Sequence, residues 1–347
     1  MNTKIFVGVF FVFNAIFAAA QIPAGTWLIT GNADALRNLS QGGDNFFLGL
    51  APQAGYFLTD NWMVGLGGQY NYNRSRSFQA LVRSCTWSLA PFTRFYLPKQ
   101  QGAVLPFLAL GGGYQQTRNE FSSSETETDL LFLNANIGLN YFFDANVAAE
   151  ATLGYQGVYP GNAQQDVHSL LWNVGLQIFL MPRTEDETPG GVPIEQGSWL
   201  AGFNANSGLA NIGESNDLFL SVMPVAGYFL TDHVVVGSGF QMVFADENAI
   251  VNPEPFVRYY FISGEAALQP FAMVGLGTRF QLADSSSNPD FFSLNAMAGI
   301  GLDWFFLPNV ALEGALRYDA RRIEEEFTTT ELLRLQFGFQ VFFQPGN

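Results

Sequence analysis

The chain has 347 residues, of which 48% are hydrophobic, 15% aromatic and only 13% charged, and its formal net charge is −15. A soluble domain has about 25% charged residues, and an acidic balance argues against a nucleic-acid partner, because phosphate binding needs basic patches. Cys85 is the single cysteine, which excludes an intramolecular disulfide.

Residues 1–20 have the order of features that defines a secretory signal peptide. Lys4 supplies the positive charge, a mostly apolar stretch follows from Ile5 to Phe17, and the small residues Ala18–Ala20 precede Gln21. We therefore predict cleavage after Ala20 and export. Beyond this segment no stretch reaches the roughly 18 uninterrupted apolar residues of a membrane-spanning helix.

The segment from Leu131 to Phe143 alternates apolar and polar residues with the two-residue period of a β-strand, and so does the segment from Leu294 to Phe306. A soluble sheet packs its apolar face into a core, but here the polar, glycine-rich face is the one that fits a narrow enclosed space. The pattern predicts an all-β, transmembrane, antiparallel up-and-down β-barrel whose apolar side chains face lipid. The lumen-facing polar residues of these two strands are Asn134, Asn136, Asn140 and Asp303.

Sixteen strands are predicted, eight in each half of the chain. The first half has them near 25–34, 45–58, 62–73, 80–97, 105–119, 129–143, 147–158 and 169–180. The second half has them near 197–206, 216–230, 233–245, 251–262, 268–283, 290–306, 310–321 and 331–343. Short connections alternate with long polar ones, which is the periplasmic and extracellular asymmetry of outer-membrane barrels.

The two halves indicate a tandem duplication. The heptapeptide AGYFLTD occurs at 54–60 and returns unchanged at 226–232. Residues 183–196 are rich in Pro, Gly and acidic residues, a composition typical of a solvated linker. The predicted organisation is a signal peptide (1–20), a first barrel domain (21–182), a linker (183–196) and a second barrel domain (197–347).

The signal segment, strand count, alternation and loop asymmetry together resemble the eight-stranded outer-membrane barrel domain of OmpA-type and OmpX-type bacterial proteins, present in two tandem copies. The last strand of each half (172–180 and 335–343) resembles the terminal signal by which such barrels are inserted, although Gln344–Asn347 follow the aromatic Phe343. The resemblance implies a bacterial outer-membrane location, contact with outer-membrane lipid, and biogenesis through periplasmic chaperones and the barrel-insertion machinery.

The sixteen strands could close in two ways. Two barrels of eight strands are favoured by the linker, because periplasmic turns inside one barrel are normally short. One sixteen-stranded barrel is the alternative. The difference matters for function, since about eight strands leave room only for side chains, whereas sixteen leave an aqueous channel.

Charged residues at duplicated positions are predicted to plug the lumens. Arg94 and Arg258 share a position on the fourth strand, and Glu150 and Glu313 share one on the seventh strand. Alternation directs all four inward, and buried charges persist mainly in pairs, so we expect transverse Arg94–Glu150 and Arg258–Glu313 ion pairs; a gated pore is the alternative. Further polar lumen residues are Gln69, Gln241, Arg279, Arg317 and Asp319, and the last three are expected to make the second lumen wetter near its outer mouth.

No enzyme motif emerges. His168 and His233 are predicted at opposite ends of different halves. Their side chains therefore cannot come close together, as those of a catalytic triad or metal cluster must. The run Gly111–Gly113 lies inside a strand and precedes no helix, so it is not a phosphate-binding loop. We predict no catalytic residue, no cofactor and no metal site. Four prolines fall inside predicted strands, where bulges or breaks are expected because proline lacks a ladder donor: Pro52, Pro91, Pro224 and Pro255.

These observations predict a non-enzymatic integral outer-membrane β-barrel protein with plugged lumens and a structural or surface-interaction role. The sequence does not name an extracellular ligand. A passive, porin-like channel for small solutes is the alternative function, and a membrane-embedded hydrolase is a third hypothesis that no motif supports.

Overall fold

The computed structural model describes residues 22–39, 45–77, 80–97, 103–121, 124–161, 166–182, 194–206, 208–211, 219–245, 248–262, 266–283, 291–323 and 328–344. The predicted signal peptide and residues 183–193 of the predicted linker lie outside these ranges. Within them the chain is all-β, which confirms the predicted fold class. Among these residues there is no helix of the length and apolarity needed to cross a membrane.

In the described ranges, nineteen strands form one antiparallel sheet. The first half contains β1 (Trp27–Thr30), β2 (Ala33–Asn38), β3 (Phe46–Leu50), β4 (Gln53–Thr59), β5 (Trp62–Ser77), β6 (Ala80–Tyr96), β7 (Val104–Phe121), β8 (Ser124–Phe142), β9 (Val147–Pro160) and β10 (Val167–Leu180). The second half contains β11 (Trp199–Asn206), β12 (Gly208–Asn211), β13 (Phe219–Phe229), β14 (Val234–Ala245), β15 (Asn248–Tyr260), β16 (Leu268–Ala283), β17 (Phe291–Leu307), β18 (Val310–Ile323) and β19 (Thr328–Phe343).

The alternation of side chains has the inverted sense that the sequence predicts. On β8, Leu131, Leu133 and Ile137 are 59%, 60% and 58% exposed, whereas Asn140 on the opposite face is 0% exposed. The apolar face is therefore the outside of the sheet and the polar face is enclosed, as in a membrane barrel and unlike a soluble one.

The strands close into two rings of eight at the end that carries the short turns, which we call the turn end. In the first half β1 pairs with β4 and with β10, and β4 to β10 pair each with the next. In the second half β11 pairs with β13 and with β19, and β13 to β19 pair each with the next.

The opposite end, which we call the loop end, is joined differently. There β2 leaves the first ring and pairs with β19, while β12 leaves the second ring and pairs with β10. β2 also pairs with β3, which pairs with the outer part of β5. When β11 and β12 are counted together, these pairings link sixteen strands of the described residues into a single ring. The structure thus combines the two alternatives, with two eight-stranded rings at the turn end and one sixteen-stranded ring at the loop end. The two predicted barrels are not separate along their whole length.

Local backbone features explain where the first half branches. Gly31 lies between β1 and β2 with φ 140°, and a Cβ there would be 2.6 Å from the carbonyl oxygen of Ala51. Only glycine accommodates this conformation and this approach. Pro52 interrupts the neighbouring strand between β3 and β4, so both strands bend at the same level and β2 can turn toward β19.

The other strand prolines also coincide with interrupted pairing. The β6–β7 ladder passes from Leu89–Tyr114 directly to Phe92–Gly111 and omits Pro91. The corresponding β15–β16 ladder omits Pro255, and the β13–β14 ladder omits Pro224. The expected local breaks are therefore confirmed.

At the turn end the outer faces of the two rings pack against each other. A buried cluster contains Val147 and Ile178 of the first half with Leu307, Val310 and Val341 of the second. Val147 and Val310 are 163 positions apart in the sequence, and so are Ile178 and Val341. The same patch of each half thus forms both sides, as in a two-fold symmetric interface.

The turns extend this contact. Asn309 donates a side-chain hydrogen bond to the carboxylate of Asp144, and the rings of Phe143 and Phe343 lie 5.7 Å apart. Burial raises the pKa of the Asp144 carboxyl above its ordinary value of 3.8, partly offset by hydrogen bonds from the backbone of Asn146 and Val147.

Candidate functional site: the interior of the two rings

An apolar layer fills each ring at the turn end. In the first half it is built on Leu28, Phe57, Met63, Tyr96, Phe107 and Phe179, with Ile22 inserted from the segment that precedes β1. In the second half it is built on Leu200, Phe229, Val235, Tyr260, Phe271 and Phe342, with Ile194 at the position of Ile22. Every one of these side chains is buried.

The segment before the first strand of each half acts as a cap. Ala24 N donates to Asp60 Oδ1 at 2.9 Å, and Gln196 N donates to Asp232 Oδ1 at 2.8 Å. These bonds tie the cap to the first short turn of the ring, so that the isoleucine is held over the apolar layer.

The predicted arginine and glutamate of the first half meet directly above its apolar layer. Arg94 makes two hydrogen bonds to Glu150, of which Nη2 to Oε1 is 3.2 Å, and both side chains are less than 10% exposed. Asn140 Nδ2 lies 3.4 Å from Glu150 Oε2. The Arg94 guanidinium also lies over the Phe107 ring, 4.7 Å from its centroid, which adds a cation–π contact.

The second half repeats this arrangement with an extra acid. Arg258 Nη1 lies 2.6 Å from Glu313 Oε2 and 3.7 Å from Asp303 Oδ2. Tyr260 donates to Asp303 Oδ2 at 2.7 Å. Asp303 corresponds to Asn140 of the first half, so one arginine here faces two carboxylates.

A second charged layer fills the second half further toward the loop end. Arg317 Nη1 lies 2.9 Å from Glu254 Oε2, and Arg317 Nε lies 2.6 Å from Asp319 Oδ1. Arg317 is only 7% exposed and Asp319 2% exposed. The expectation of a wetter second lumen is wrong for Arg317 and Asp319, because at this level Arg317 forms ion pairs with both carboxylates and the three side chains occupy the space.

The first half is open at the same level. Ala90 stands where the second half has Glu254, and Gly154 stands where it has Arg317. A cavity of about 700 Å³ occupies this space, with Arg94, Glu150 and Phe107 among its lining residues. Most of its polar lining is uncharged: Thr30, Asn32, Gln53, Gln69, Ser88, Gln115, Asn136, Thr152, Gln156, Asn173 and Gln177.

The remaining predicted residues have the following places. Gln69 and Asn136 line the cavity, and Asn134 is half-buried on the same face of β8. Gln241 Oε1 lies 3.5 Å from Asn252 Nδ2 in the second half. Arg279 is half-buried on the lumen side of β16.

The two histidines do not meet. His168 Nδ1 lies 2.6 Å from Tyr155 Oη in the first half, and His233 Nδ1 lies 2.8 Å from the carbonyl oxygen of Tyr260 in the second. Within the described ranges, no three His, Cys, Asp or Glu side chains are grouped so that they could hold a metal ion.

Sequence reasoning missed Glu254, Tyr260 and the capping isoleucines. Glu254 and Tyr260 lie on β15 at even spacing from Arg258, so alternation alone indicated that they share its face. Ile22 and Ile194 recur at the same offset of 172 as the strand that follows them, but they precede that strand, where alternation has no meaning.

A closed antiparallel ring with an apolar outside and a polar, ion-paired inside defines the class of β-barrel membrane proteins. No protein-family model matches the chain, and no curated protein is significantly similar to it.

Solved structures with similarity to the chain are bacterial outer-membrane proteins. The N-terminal β-barrel domain of Pseudomonas aeruginosa OprF is 19% identical over 45% of this chain and 98% of its own, with a TM-score of 0.27. Pseudomonas aeruginosa OprG is 14% identical over 46% of this chain and 90% of its own, with a TM-score of 0.28. A bacterial polysaccharide outer membrane secretin is 10% identical over 92% of this chain and 99% of its own, with a TM-score of 0.43.

Proposed function

We propose that this chain is a non-enzymatic integral protein of the bacterial outer membrane, closed toward the periplasm and built from two copies of an OmpA-type eight-stranded domain. Residues 1–20 direct export, and the periplasmic chaperones and barrel-insertion machinery place the protein in outer-membrane lipid. Its role is structural and surface-interacting, with the first lumen as a recess open to the outside. The apolar layer and Arg–Glu pair that block each ring support this proposal most strongly.

The blocked turn end argues against a channel. A solute that crossed the first ring would have to pass the Arg94–Glu150 pair and then the apolar layer around Phe57. The second ring adds the layer of Glu254, Arg317 and Asp319 above Arg258. Sixteen strands surround the space only at the loop end, so the wide part of the molecule does not continue through the wall.

Conductance in planar bilayers tests this function. We expect no long-lived openings from purified, folded protein, while a known open porin in the same bilayer gives its usual steps. Long-lived openings that increase in number with the amount of folded protein would contradict the closed barrel and favour the porin-like alternative.

The orientation is tested by labelling intact cells. In a Cys85→Ser background, a cysteine at the loop end (Ser124→Cys) is expected to react with a membrane-impermeant maleimide. The matched cysteine at a short turn (Asn61→Cys) is expected to react only after the outer membrane is permeabilised. Labelling of Asn61→Cys on intact cells would contradict a periplasmic turn end.

A further inference from the structure

The outer face of the first half carries an apolar groove of about 610 Å³ where the β6–β7 pairing is interrupted. Leu89, Pro91, Leu131 and Leu133 line it, and Gly112 lies at its base. Leu89, Leu131 and Leu133 are 49%, 59% and 60% exposed on the apolar face of the sheet. The groove therefore opens to the hydrocarbon of the membrane. Its aromatic lining residues are Trp87, Tyr114 and Tyr159.

The aromatic residues place one end of the groove at the membrane surface. Trp87 Nε1 donates to Gln116 Oε1 at 2.9 Å, and Tyr114 donates to Asp129 Oδ1 at 2.6 Å. Aromatic rings with a polar partner are typical of the boundary between headgroups and hydrocarbon. The groove therefore begins near the headgroups and continues into the hydrocarbon region.

One side chain is shared by the linings of the groove and the cavity. Phe132 lines both spaces and is 9% exposed. Ala90 and Pro91 on β6, and Gly112 and Gly113 on β7, have no partner across the interrupted ladder. The wall is therefore not continuously paired at this point, although β6 remains paired with β5 and β7 with β8.

The cavity behind Phe132 suits an uncharged polar group. Among its described lining residues the charged ones are Arg94 and Glu150, which form an ion pair with each other, and amides and hydroxyls make up the other polar residues. Gln177 borders the cavity, is 6% exposed, and its Oε1 has no hydrogen-bond donor. A charged group would find no free counter-ion among these lining residues, whereas hydroxyl groups could donate to these amide oxygens.

In the described part of the second half the β15–β16 pairing is interrupted at the same place, but different side chains occupy the two equivalent spaces. Leu276 and Ala296 replace the facing pair Gly112 and Leu133, and Glu254 and Arg317 fill the lumen. Gly299 replaces Asn136 and so leaves room beside Arg317. The second half therefore shows which residues close the groove and the cavity while keeping a barrel wall.

We propose that the first half binds an amphiphile, with one acyl chain in the groove and an uncharged, hydroxyl-bearing headgroup reaching the cavity past Phe132. This inference rests on the proposed membrane location but not on the absence of conductance. Bulk lipid that fills the groove without selection is the competing explanation.

A brominated alkyl maltoside tests the proposal, because bromine quenches the fluorescence of a nearby tryptophan. The protein is placed in nanodiscs of unbrominated lipid, and quenching is measured against maltoside and against an alkyl sulfate with the same brominated chain. We expect saturable quenching by the maltoside, a requirement for at least tenfold more sulfate, and loss of the saturable part in Trp87→Phe. Quenching that rises linearly and equally for both compounds would overturn the proposal.

Two variants copied from the second half separate the groove from the cavity. Gly112→Leu with Leu133→Ala is expected to abolish saturable quenching. Ala90→Glu with Asn136→Gly and Gly154→Arg is expected to keep quenching by the chain but to lose the preference for maltoside over sulfate. Wild-type behaviour in either variant would contradict the part of the site that it fills.

The control is Ala296→Leu, which adds an apolar side chain to the lipid face of the other half and is expected to change nothing. Each variant is first checked for faster migration when unheated than when boiled, and for recovery in the outer-membrane fraction. Failure of fractionation in the wild type would refute the proposed function, whereas normal fractionation with unsaturable quenching would refute only the binding site.

Discussion

Asn140 on β8 and Asp303 on β17 occupy the same position in two equivalent strands, and each lies beside the arginine–glutamate pair of its own ring. Asn140 Nδ2 is 3.4 Å from Glu150 Oε2. Asp303 instead accepts a hydrogen bond from Tyr260 and lies 3.7 Å from Arg258. One substitution between the halves thus changes a neutral neighbour into a second carboxylate inside a closed ring.

Asp303→Asn is expected to change the free energy of unfolding by no more than about 1 kcal/mol, because Asn keeps an acceptor for Tyr260 and removes one buried charge. Asp303→Leu leaves the Tyr260 hydroxyl without that acceptor and is expected to cost about 1–3 kcal/mol. Urea unfolding in lipid vesicles, followed by tryptophan fluorescence, measures both. A greater loss in the Asn variant than in the Leu variant would contradict this account of the second ring.

Glu150→Ala is expected to destabilise the protein by about 3–5 kcal/mol, because it leaves the Arg94 guanidinium buried without a counter-ion. The double variant Arg94→Met with Glu150→Met removes both charges and is expected to recover much of that loss. The same unfolding measurement applies. A double variant that is no more stable than Glu150→Ala would contradict this explanation. It would show that the ion pair itself stabilises the ring, and that the loss in Glu150→Ala does not come from leaving Arg94 without a counter-ion.

The exchange of strands at the loop end predicts a specific crosslink. Ala35 on β2 is directly opposite Leu335 on β19, and facing residues in antiparallel strands are about 4.5–5.5 Å apart at Cα, within disulfide range. Ala35→Cys with Leu335→Cys, in a Cys85→Ser background, is expected to form a disulfide that changes migration on a gel.

The control for this crosslink follows from the ladder that the exchange replaces. If β1 continued along β10 in the register of Ile29 with Ile178, Ala35 would face Trp172. Ala35→Cys with Trp172→Cys is therefore expected to stay reduced. Oxidation of the control pair in place of the first pair would mean that the two rings stay separate along their full length.

Asp144 predicts a pH dependence at the contact between the halves. Because burial raises its pKa above 3.8 in the folded state, the folded state binds this proton more readily than the unfolded state does. The free energy of unfolding therefore falls as the pH rises from about 3.8 through the folded pKa, and it is constant above that range. Asp144→Asn is expected to remove this component.

Urea midpoints at several pH values measure this effect as the difference between wild type and Asp144→Asn. The wild type is expected to gain stability relative to the variant as the pH falls from 7 toward 4. The matched variant Asp166→Asn, at an exposed position at the loop end of the first half, controls for general effects of removing a carboxylate. A wild type that loses stability relative to Asp144→Asn in this range would contradict the sign of the shift.

The parts of the structure that sequence alone indicated are those with a local period or a repeated copy. Alternation showed which face Arg94 and Glu150 share, and the duplication supplied Arg258 and Glu313 as a second instance. The structure brings each of these pairs together inside a ring of eight strands.

The strand exchange could not be obtained in this way. Alternation is the same whether β2 lies beside β10 or beside β19. Which side chains of β2 face inward depends on whether their position in the strand is odd or even, and it does not depend on which strand pairs with β2. Gly31 and Pro52 indicate a bend but name no partner. The sequence predicts a wetter second lumen when its charges are counted one at a time. The ion pair between Glu254 and Arg317 depends on two strands that are far apart in the sequence, and no local pattern predicts that contact.

The pairing of β2 with β19 has a consequence for how the molecule is completed. A strand made near the beginning of the polypeptide obtains its neighbour only when the final strand has been synthesised and delivered. The wall of the amino-terminal portion must therefore stay unsealed while about three hundred further residues follow. Truncation before that last segment would leave an unpaired strand edge in both portions. Biogenesis therefore succeeds or fails for the polypeptide as a whole.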